Sequence, residues 1–318
     1  MTTKHLVDPE LRSALDAIPA LDLSPAGLPA TRNAIAAMFA ATPVVSDDSV
    51  TVESLDIAGS AEVFAVRILA FRPTHTPHAL PALLHIHGGG YVAGSPEIMA
   101  TENRDLAADL QCAIYSVDYR LAPEATYPKS LEDCYAALCW IRDHATELRV
   151  DRARIGVKGE SAGGGLAAGL ALLARDRGGP ALAFQHLIYP MLDDRTCVRP
   201  DRHEFTGEFQ WTLAHNIIGW SSLLGREPGD ANVPPYAAAA RAGQLAGLPP
   251  TFINVGSLDL FFEEDMEYAR RLTRAGVPVE LHVYPGAFHG FDRVDPTARV
   301  SRAANRDSVE ALRRALHG

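Results

Sequence analysis

The chain has few cysteines, a deficit of positive charge and no long hydrophobic run, and each shortage removes a class of function. Its four cysteines, Cys112, Cys134, Cys139 and Cys197, show no Cys-x-x-Cys spacing. Cys134 and Cys139 fall five apart on a predicted helix, which suits neither a disulfide nor a metal site. Free, mostly buried thiols in a reducing cytoplasm are the expectation. Lysine and arginine number 29 against 39 acidic residues, a net charge of −10 at pH 7. Nucleic acid and anionic membrane both call for basic patches, so neither is an expected partner. Asp8, Glu10, Asp16 and Asp22 interrupt the first thirty residues. No secretory leader is predicted there, and no later run is long enough to span a bilayer without charge. A Gly-x-x-x-x-Gly-Lys-Ser/Thr phosphate loop is missing, and the glycines at 159–163 lack the middle glycine of a dinucleotide fingerprint. Neither cofactor nor metal is expected.

What is present is an ordinary globular composition, 47% hydrophobic and 21% charged over 318 residues. That length suits one large α/β domain with a small appendage. Residues 1–45 read as helical in patches, such as Asn33 to Ala41, between prolines 19, 25, 29 and 43. Two alternating segments, Ser49–Ile57 and Glu62–Phe71, read as an antiparallel hairpin around Ala58-Gly59-Ser60. From residue 82 short apolar strands alternate with helical runs. Strands are predicted at 82–86, 113–117, 154–158, 184–189, 251–255 and 279–284. Helices are predicted at 99–110, 131–144, 162–174 and 263–275, with a last one carrying Val309, Leu312 and Leu316. This rhythm predicts a mostly parallel sheet with helices on both faces. Residues 191–232 break it. They hold Phe205, Phe209, Trp211, Ile217, Ile218 and Trp220 in a helical context, which fits either a cover over a site or plain core.

The chemistry centres on Gly159-Glu160-Ser161-Ala162-Gly163, where a strand runs through a sharp turn into a helix. In that setting Gly-x-Ser-x-Gly presents a serine hydroxyl at the carboxyl edge of the sheet. A hydroxyl is a weak nucleophile until a base takes its proton and a third group holds the base. On such a scaffold the order is serine, acid, histidine. Six histidines follow Ser161. His186 and His282 fall within strands, His203 and His215 precede the acid candidates, and His317 is next to the chain end. His289, in the loop after the last strand, remains. Asp259 lies just past the preceding strand and is the favoured acid, with Glu263 the second choice. Glu263 also suits the start of a helix, where acidic side chains complement the dipole. His87-Gly88-Gly89-Gly90-Tyr91 follows a strand and could turn the Gly89 and Gly90 amides, with that of Ala162, toward a developing oxyanion. A flexible loop or a phosphate cradle is the alternative for those glycines. His85-x-His87 has the spacing of a metal pair, but no further ligands accompany it.

His87-Gly-Gly-Gly-Tyr91, Asp118-Tyr-Arg-Leu-Ala-Pro-Glu124, Gly159-Glu-Ser-Ala-Gly-Gly164 and His289-Gly-Phe291 occur in order. Together they resemble the hormone-sensitive-lipase family of α/β hydrolases, in its bacterial carboxylesterase branch, over residues 80–292. The resemblance implies an eight-stranded, mostly parallel sheet and a helical cap. The cap would comprise residues 1–45 and an insertion at 191–232, with the hydrolase core at 46–190 and 233–318. It implies cofactor-free hydrolysis of short- to medium-chain acyl esters through an acyl-enzyme. It makes Ser161 the nucleophile, Asp259 the acid, His289 the base, and Gly89, Gly90 and Ala162 the oxyanion donors. Tyr91, Phe209, Trp211 and Leu260 are the candidate substrate-binding residues. One departure is visible: where the family often has Asp-Pro-Leu at the acid, Leu260 directly follows Asp259. In the resembling family last strands commonly pair into homodimers, and Val279–Tyr284 would be that strand here. A lactonase or amidase on the same triad is an alternative. So is a non-catalytic binding protein, since plant hormone receptors of similar sequence have lost the histidine that is present here as His289.

Overall fold

The alternating and apolar runs assemble into a single twisted sheet, seen in a computed structural model that describes residues 2–318 except 19–20, 42–43, 60–64 and 77. Among the described residues the sheet has eight strands in the order β1-β2-β4-β3-β5-β6-β7-β8. Val50–Ala58 (β1) and Ala65–Pro73 (β2) pair antiparallel, with Val50 opposite Pro73. The turn expected at Ser60 lies outside the described residues. Strand β2 also runs antiparallel to Ala113–Asp118 (β4). From β4 onward every pairing is parallel, through Leu80–Ile86 (β3), Val150–Glu160 (β5), Gln185–Ile188 (β6), Thr251–Gly256 (β7) and Val279–Tyr284 (β8). Parallel strands need crossovers, and the helices that make them cover both faces. Every residue of β3 is accordingly buried. Its side chains still alternate: Leu80, Ala82, Leu84 and Ile86 join the larger core cluster, and Leu83 joins the cluster on the other face.

The helices are Leu28–Ala40 (α1), Ala100–Leu110 (α2), Lys129–Asp143 (α3), Ala162–Asp176 (α4), Leu213–Leu224 (α5), Phe262–Arg274 (α6), the single turn Phe291–Val294 (α7) and Arg299–His317 (α8). Helix α1 starts earlier than the sequence suggested because Pro29 sits in its first turn. No backbone N–H is needed there, so the proline starts the helix and does not break it. Helix α4 is built from alanine, glycine and leucine and is buried almost all round, which lets it pack against β5, β6 and α3. Helices α2 and α8 close the opposite face, where Leu312 and Leu316 meet Leu83, Ile114 and Phe71.

Segments distant in sequence converge at the carboxyl end of the strands. The Asp8 amide donates to the Gly286 carbonyl at 3.0 Å, and Val7 and Leu11 pack on Phe288 and Phe291, either side of His289. The Thr3 amide donates to Glu208 at 2.6 Å, tying the N-terminal segment to the 191–232 stretch. From α1, Arg32 pairs with Glu124 and donates to the Val92 and Ala122 carbonyls at 2.6 and 2.7 Å. The 191–232 stretch forms α5 and irregular chain. Trp220 is wholly buried in the main core and Trp211 nearly so. Among the described residues no helix is long and apolar enough to cross a membrane.

Candidate active site

Strand β5 ends at Glu160, α4 begins at Ala162, and Ser161 occupies the joint with φ 55° and ψ −121°. A non-glycine residue held there costs on the order of 1–3 kcal/mol, which the surroundings must offset. The Ser161 amide donates to the Ile188 carbonyl at 2.9 Å, and its carbonyl accepts from Gly165 and Met191 at 3.0 and 2.9 Å. The flanking glycine is required by close approach: a Cβ on Gly163 would lie 2.0 Å from the Ile86 carbonyl oxygen.

Ser161 Oγ lies 2.9 Å from His289 Nε2, and His289 Nδ1 lies 2.8 Å from Asp259 Oδ2. With Nδ1–H donating to the carboxylate, Nε2 is left as the acceptor for the serine proton. The other Asp259 oxygen accepts from the Phe261 amide at 3.0 Å, so the carboxylate cannot rotate away from the ring. Aromatic edges hold the imidazole plane, with Tyr189 at 4.8 Å and Phe261 at 5.1 Å between centroids. Asp259 is completely buried and Ser161 and His289 nearly so. Glu263, the second acid candidate, is not part of this chain of contacts. Its carboxylate faces Arg199 at 3.7 Å.

The glycine loop abuts the elbow, for a Cβ on Gly88 would come within 3.4 Å of the Ser161 Cβ. Gly89 has φ +122°, in the region only glycine enters freely, and this turns the loop back on itself. The amides of Gly89 and Gly90 donate to no acceptor among the described residues. The Ala162 amide opens α4, where no intrahelical acceptor exists. These three amides thus remain free to donate among the described residues, as an oxyanion would require. The motif at 118–124 braces the loop from below. Tyr119 donates to the His87 carbonyl at 2.9 Å and stacks on the His87 ring at 4.3 Å.

A sequence model of the alpha/beta hydrolase fold family matches residues 83–293, a span that runs from the strand before the glycine loop to just past His289. The chain belongs to that family. Among its relatives, Esterase LipI of Mycobacterium tuberculosis is 35% identical over 99% of this chain and 97% of its own length. Carboxylesterase NlhH of Mycobacterium tuberculosis is 32% identical over 98% and 97% respectively. Of solved structures, one titled Bacterial Heroin Esterase superposes with a TM-score of 0.93 at 42% identity, covering all of both chains. The chain is therefore an alpha/beta hydrolase of the hormone-sensitive-lipase type and a carboxylic-ester hydrolase.

Four further residues were candidates for contact with substrate, and this hydrolase places them differently. Trp211 lies across the mouth of the glycine loop: a Cβ on Gly90 would fall 2.2 Å from its ring, and the His289 ring is 6.2 Å away. Its indole N–H donates to Asn216 Oδ1 at 3.2 Å, so α5 fixes the ring. Asn216 was not foreseen, because a polar residue at helical spacing carries no sign of its partner. Leu260 touches Gly207 of the 191–232 stretch and borders a cavity of about 230 Å³ with Glu263 and Leu213. Phe209 packs on Phe288 at 5.9 Å, beside the histidine loop. Tyr91 faces the core. It is buried to within 1% of its surface, donates to the Met191 carbonyl at 3.0 Å and meets Trp220 at 5.3 Å. These contacts anchor the glycine loop to the core.

Glu160 is also buried, directly beside the nucleophile. Burial alone would push its carboxyl up, yet Lys158 and His85 outweigh it and hold the carboxyl well below the usual range. Burial pulls the His85 pKa down. The neutral ring donates from Nε2 to Glu160 at 3.0 Å and accepts at Nδ1 from Ser116 at 2.7 Å. His87 donates from Nδ1 to the Gly88 carbonyl at 2.8 Å. The histidine pair therefore serves the protein's own hydrogen bonds. Among the described residues no three or more metal-ligating side chains converge.

Proposed function

We propose that Ser161, His289 and Asp259 carry the ester hydrolysis, with the amides of Gly89, Gly90 and Ala162 as the oxyanion hole. Ser161 Oγ attacks the ester carbonyl as His289 Nε2 takes its proton, and Asp259 stabilises the imidazolium that results. The carbonyl oxygen becomes an anion between the three amides. Loss of one such donor typically costs about 3 kcal/mol of barrier. His289 then gives its proton to the leaving alcohol, and an acyl group remains on Ser161. Water enters, loses a proton to His289 and attacks the acyl carbon, and the acid departs as Ser161 regains its proton.

The observation that carries this reading is the unbroken chain from Ser161 Oγ through both nitrogens of His289 to a buried Asp259, at 2.9 and 2.8 Å. A hydrolase-fold binding protein has no need of such a relay. Short- to medium-chain acyl esters are the proposed substrates, because Trp211 closes the space above the glycine loop. The N-terminal segment and residues 191–232 are proposed to act together as the cap, joined by Thr3 and Glu208. Edge strand β8 is the proposed place of homodimer formation. The test is a panel of p-nitrophenyl esters of increasing acyl length, with lactones and anilides alongside. Ser161→Ala should abolish turnover of every ester without lowering the thermal midpoint. Turnover retained in that variant overturns the nucleophile assignment, and anilides or lactones cleaved faster than esters overturn the substrate class.

A further inference from the structure

The glycine loop is pinned by its carbonyls, with one exception. The Gly88 carbonyl accepts from His87 Nδ1 at 2.8 Å. That of Gly89 accepts from the Val92 and Ala93 amides at 3.1 and 2.9 Å, and that of Tyr91 from the Ala122 amide at 2.9 Å. The Gly90 carbonyl accepts no hydrogen bond among the described residues, although Gly90 is buried. What it meets instead is the backbone of α5. A Cβ on Gly219 would fall 2.8 Å from the Gly90 carbonyl oxygen, 3.4 Å from the Met191 methyl and 3.5 Å from the Trp211 ring.

Gly219 is buried in the interior of α5, a place where alanine would favour the helix and glycine does not. The close approach to Gly90 accounts for it, because a methyl there would press on a backbone atom and not on a side chain that could swing aside. Helix α5 has little freedom to withdraw. Trp220 is wholly buried against Tyr91, and the Leu223 carbonyl accepts from the Tyr127 amide at 2.7 Å. Asn216 accepts from the Trp211 indole and donates to Cys197 Sγ, each at 3.2 Å. The loop is held on both sides of Gly90 by the carbonyls of Gly89 and Tyr91. A methyl at position 219 would therefore displace Gly90 itself.

We propose that Gly219 is a positioning residue for the oxyanion hole. The bare helix surface at that point seats the Gly90 carbonyl, and so sets where the amide of the same residue points. This goes beyond the hydrolysis proposed above and rests on Gly90 being one of its oxyanion donors. A donor serves within about 2.7–3.1 Å of the forming anion, and a misplacement of about 1 Å can cost roughly a hundredfold in rate. The interaction strengthens in the transition state, so its loss falls on kcat and not on KM.

The test is Gly219→Ala on a short p-nitrophenyl ester, with thermal unfolding to show that the variant is folded at the assay temperature. kcat should fall at least about tenfold while KM stays within about twofold. Affinity for an alkyl trifluoromethyl ketone, whose adduct with Ser161 places an anion in the hole, should fall by the same factor as kcat. If Gly219→Ala does not fold, the substitution is added to Trp211→Ala, where loss of the ring opens space beside both glycines, and is compared with Trp211→Ala alone. Unchanged kcat and ketone affinity overturn the inference, and so does a loss carried by KM. Gly90→Ala separates that outcome from failure of the oxyanion assignment. If Gly90→Ala lowers kcat and Gly219→Ala does not, the assignment stands and the inference falls; if neither lowers kcat, both fall.

Discussion

His87 supplies a stability test whose size follows from its surroundings. The ring is fully buried, stacked on Tyr119, and donates from Nδ1 to the Gly88 carbonyl at 2.8 Å. Its Nε2 has no partner among the described residues, so a second proton there would be a charge with nothing to accept it. Burial accordingly pulls the pKa from 6.5 down to about 4, with the Gly88 contact opposing. In the unfolded chain the same ring titrates near its ordinary value. Below that value the unfolded state binds a proton that the folded state refuses, so stability falls as pH falls. The contribution is complete above the unfolded pKa and is lost down to the folded one. The gap between the two values is worth about 3 kcal/mol, of which about 2 kcal/mol has gone by pH 5. His87→Gln removes the titration. Urea unfolding of wild type and variant at pH 7.5 and pH 5 should show the variant's deficit shrinking by about 2 kcal/mol at the lower pH. His85 and His186, which burial also depresses, are present in both proteins and cancel. A deficit equal at the two pH values would refute the assignment of His87 as a buried neutral ring.

Asp259→Asn should lower kcat by roughly a thousandfold or more by favouring the wrong tautomer of His289, with KM changed little, which steady-state kinetics on a short ester checks. Gly90→Ala places a methyl 2.2 Å from the Trp211 ring at a residue with φ +61°, and kcat should fall roughly a hundredfold as one donor moves. Trp211→Ala should shift the preferred acyl length upward by more than it changes the thermal midpoint; an unmoved acyl profile would take Trp211 out of the pocket. Arg32→Ala strips donors from the Val92 and Ala122 carbonyls and should cost about 1–3 kcal/mol in urea unfolding.

The layout of strands and helices was legible because it is written locally. Apolar runs of strand length alternate with helical periods, and each observed strand falls on a predicted segment to within a few residues. The fold class followed from that rhythm, as the eight-stranded, mostly parallel sheet bears out. Chain order and loop position singled out Ser161, Asp259 and His289, and the fold brings those three side chains into one hydrogen-bonded line. What sequence could not give is contact between segments with no shared period. Arg32 reads as an ordinary surface arginine, yet it clamps residues some 60 and 90 positions away. Asp8 and Gly286 show no mark of the close approach that seats the N-terminal segment on the histidine loop. The burial of Tyr91 was not legible either. Its burial is decided by Met191 and Trp220, a hundred or more residues further on.

The most direct measurement is to quench the protein during turnover of a p-nitrophenyl ester and locate the acyl group by peptide mass. Wild type should show a burst of one p-nitrophenol per chain and a single acyl adduct on the peptide containing Ser161, and His289→Ala should lose both. Sustained turnover with no adduct at Ser161, or with the adduct on another residue, would contradict the proposed chemistry.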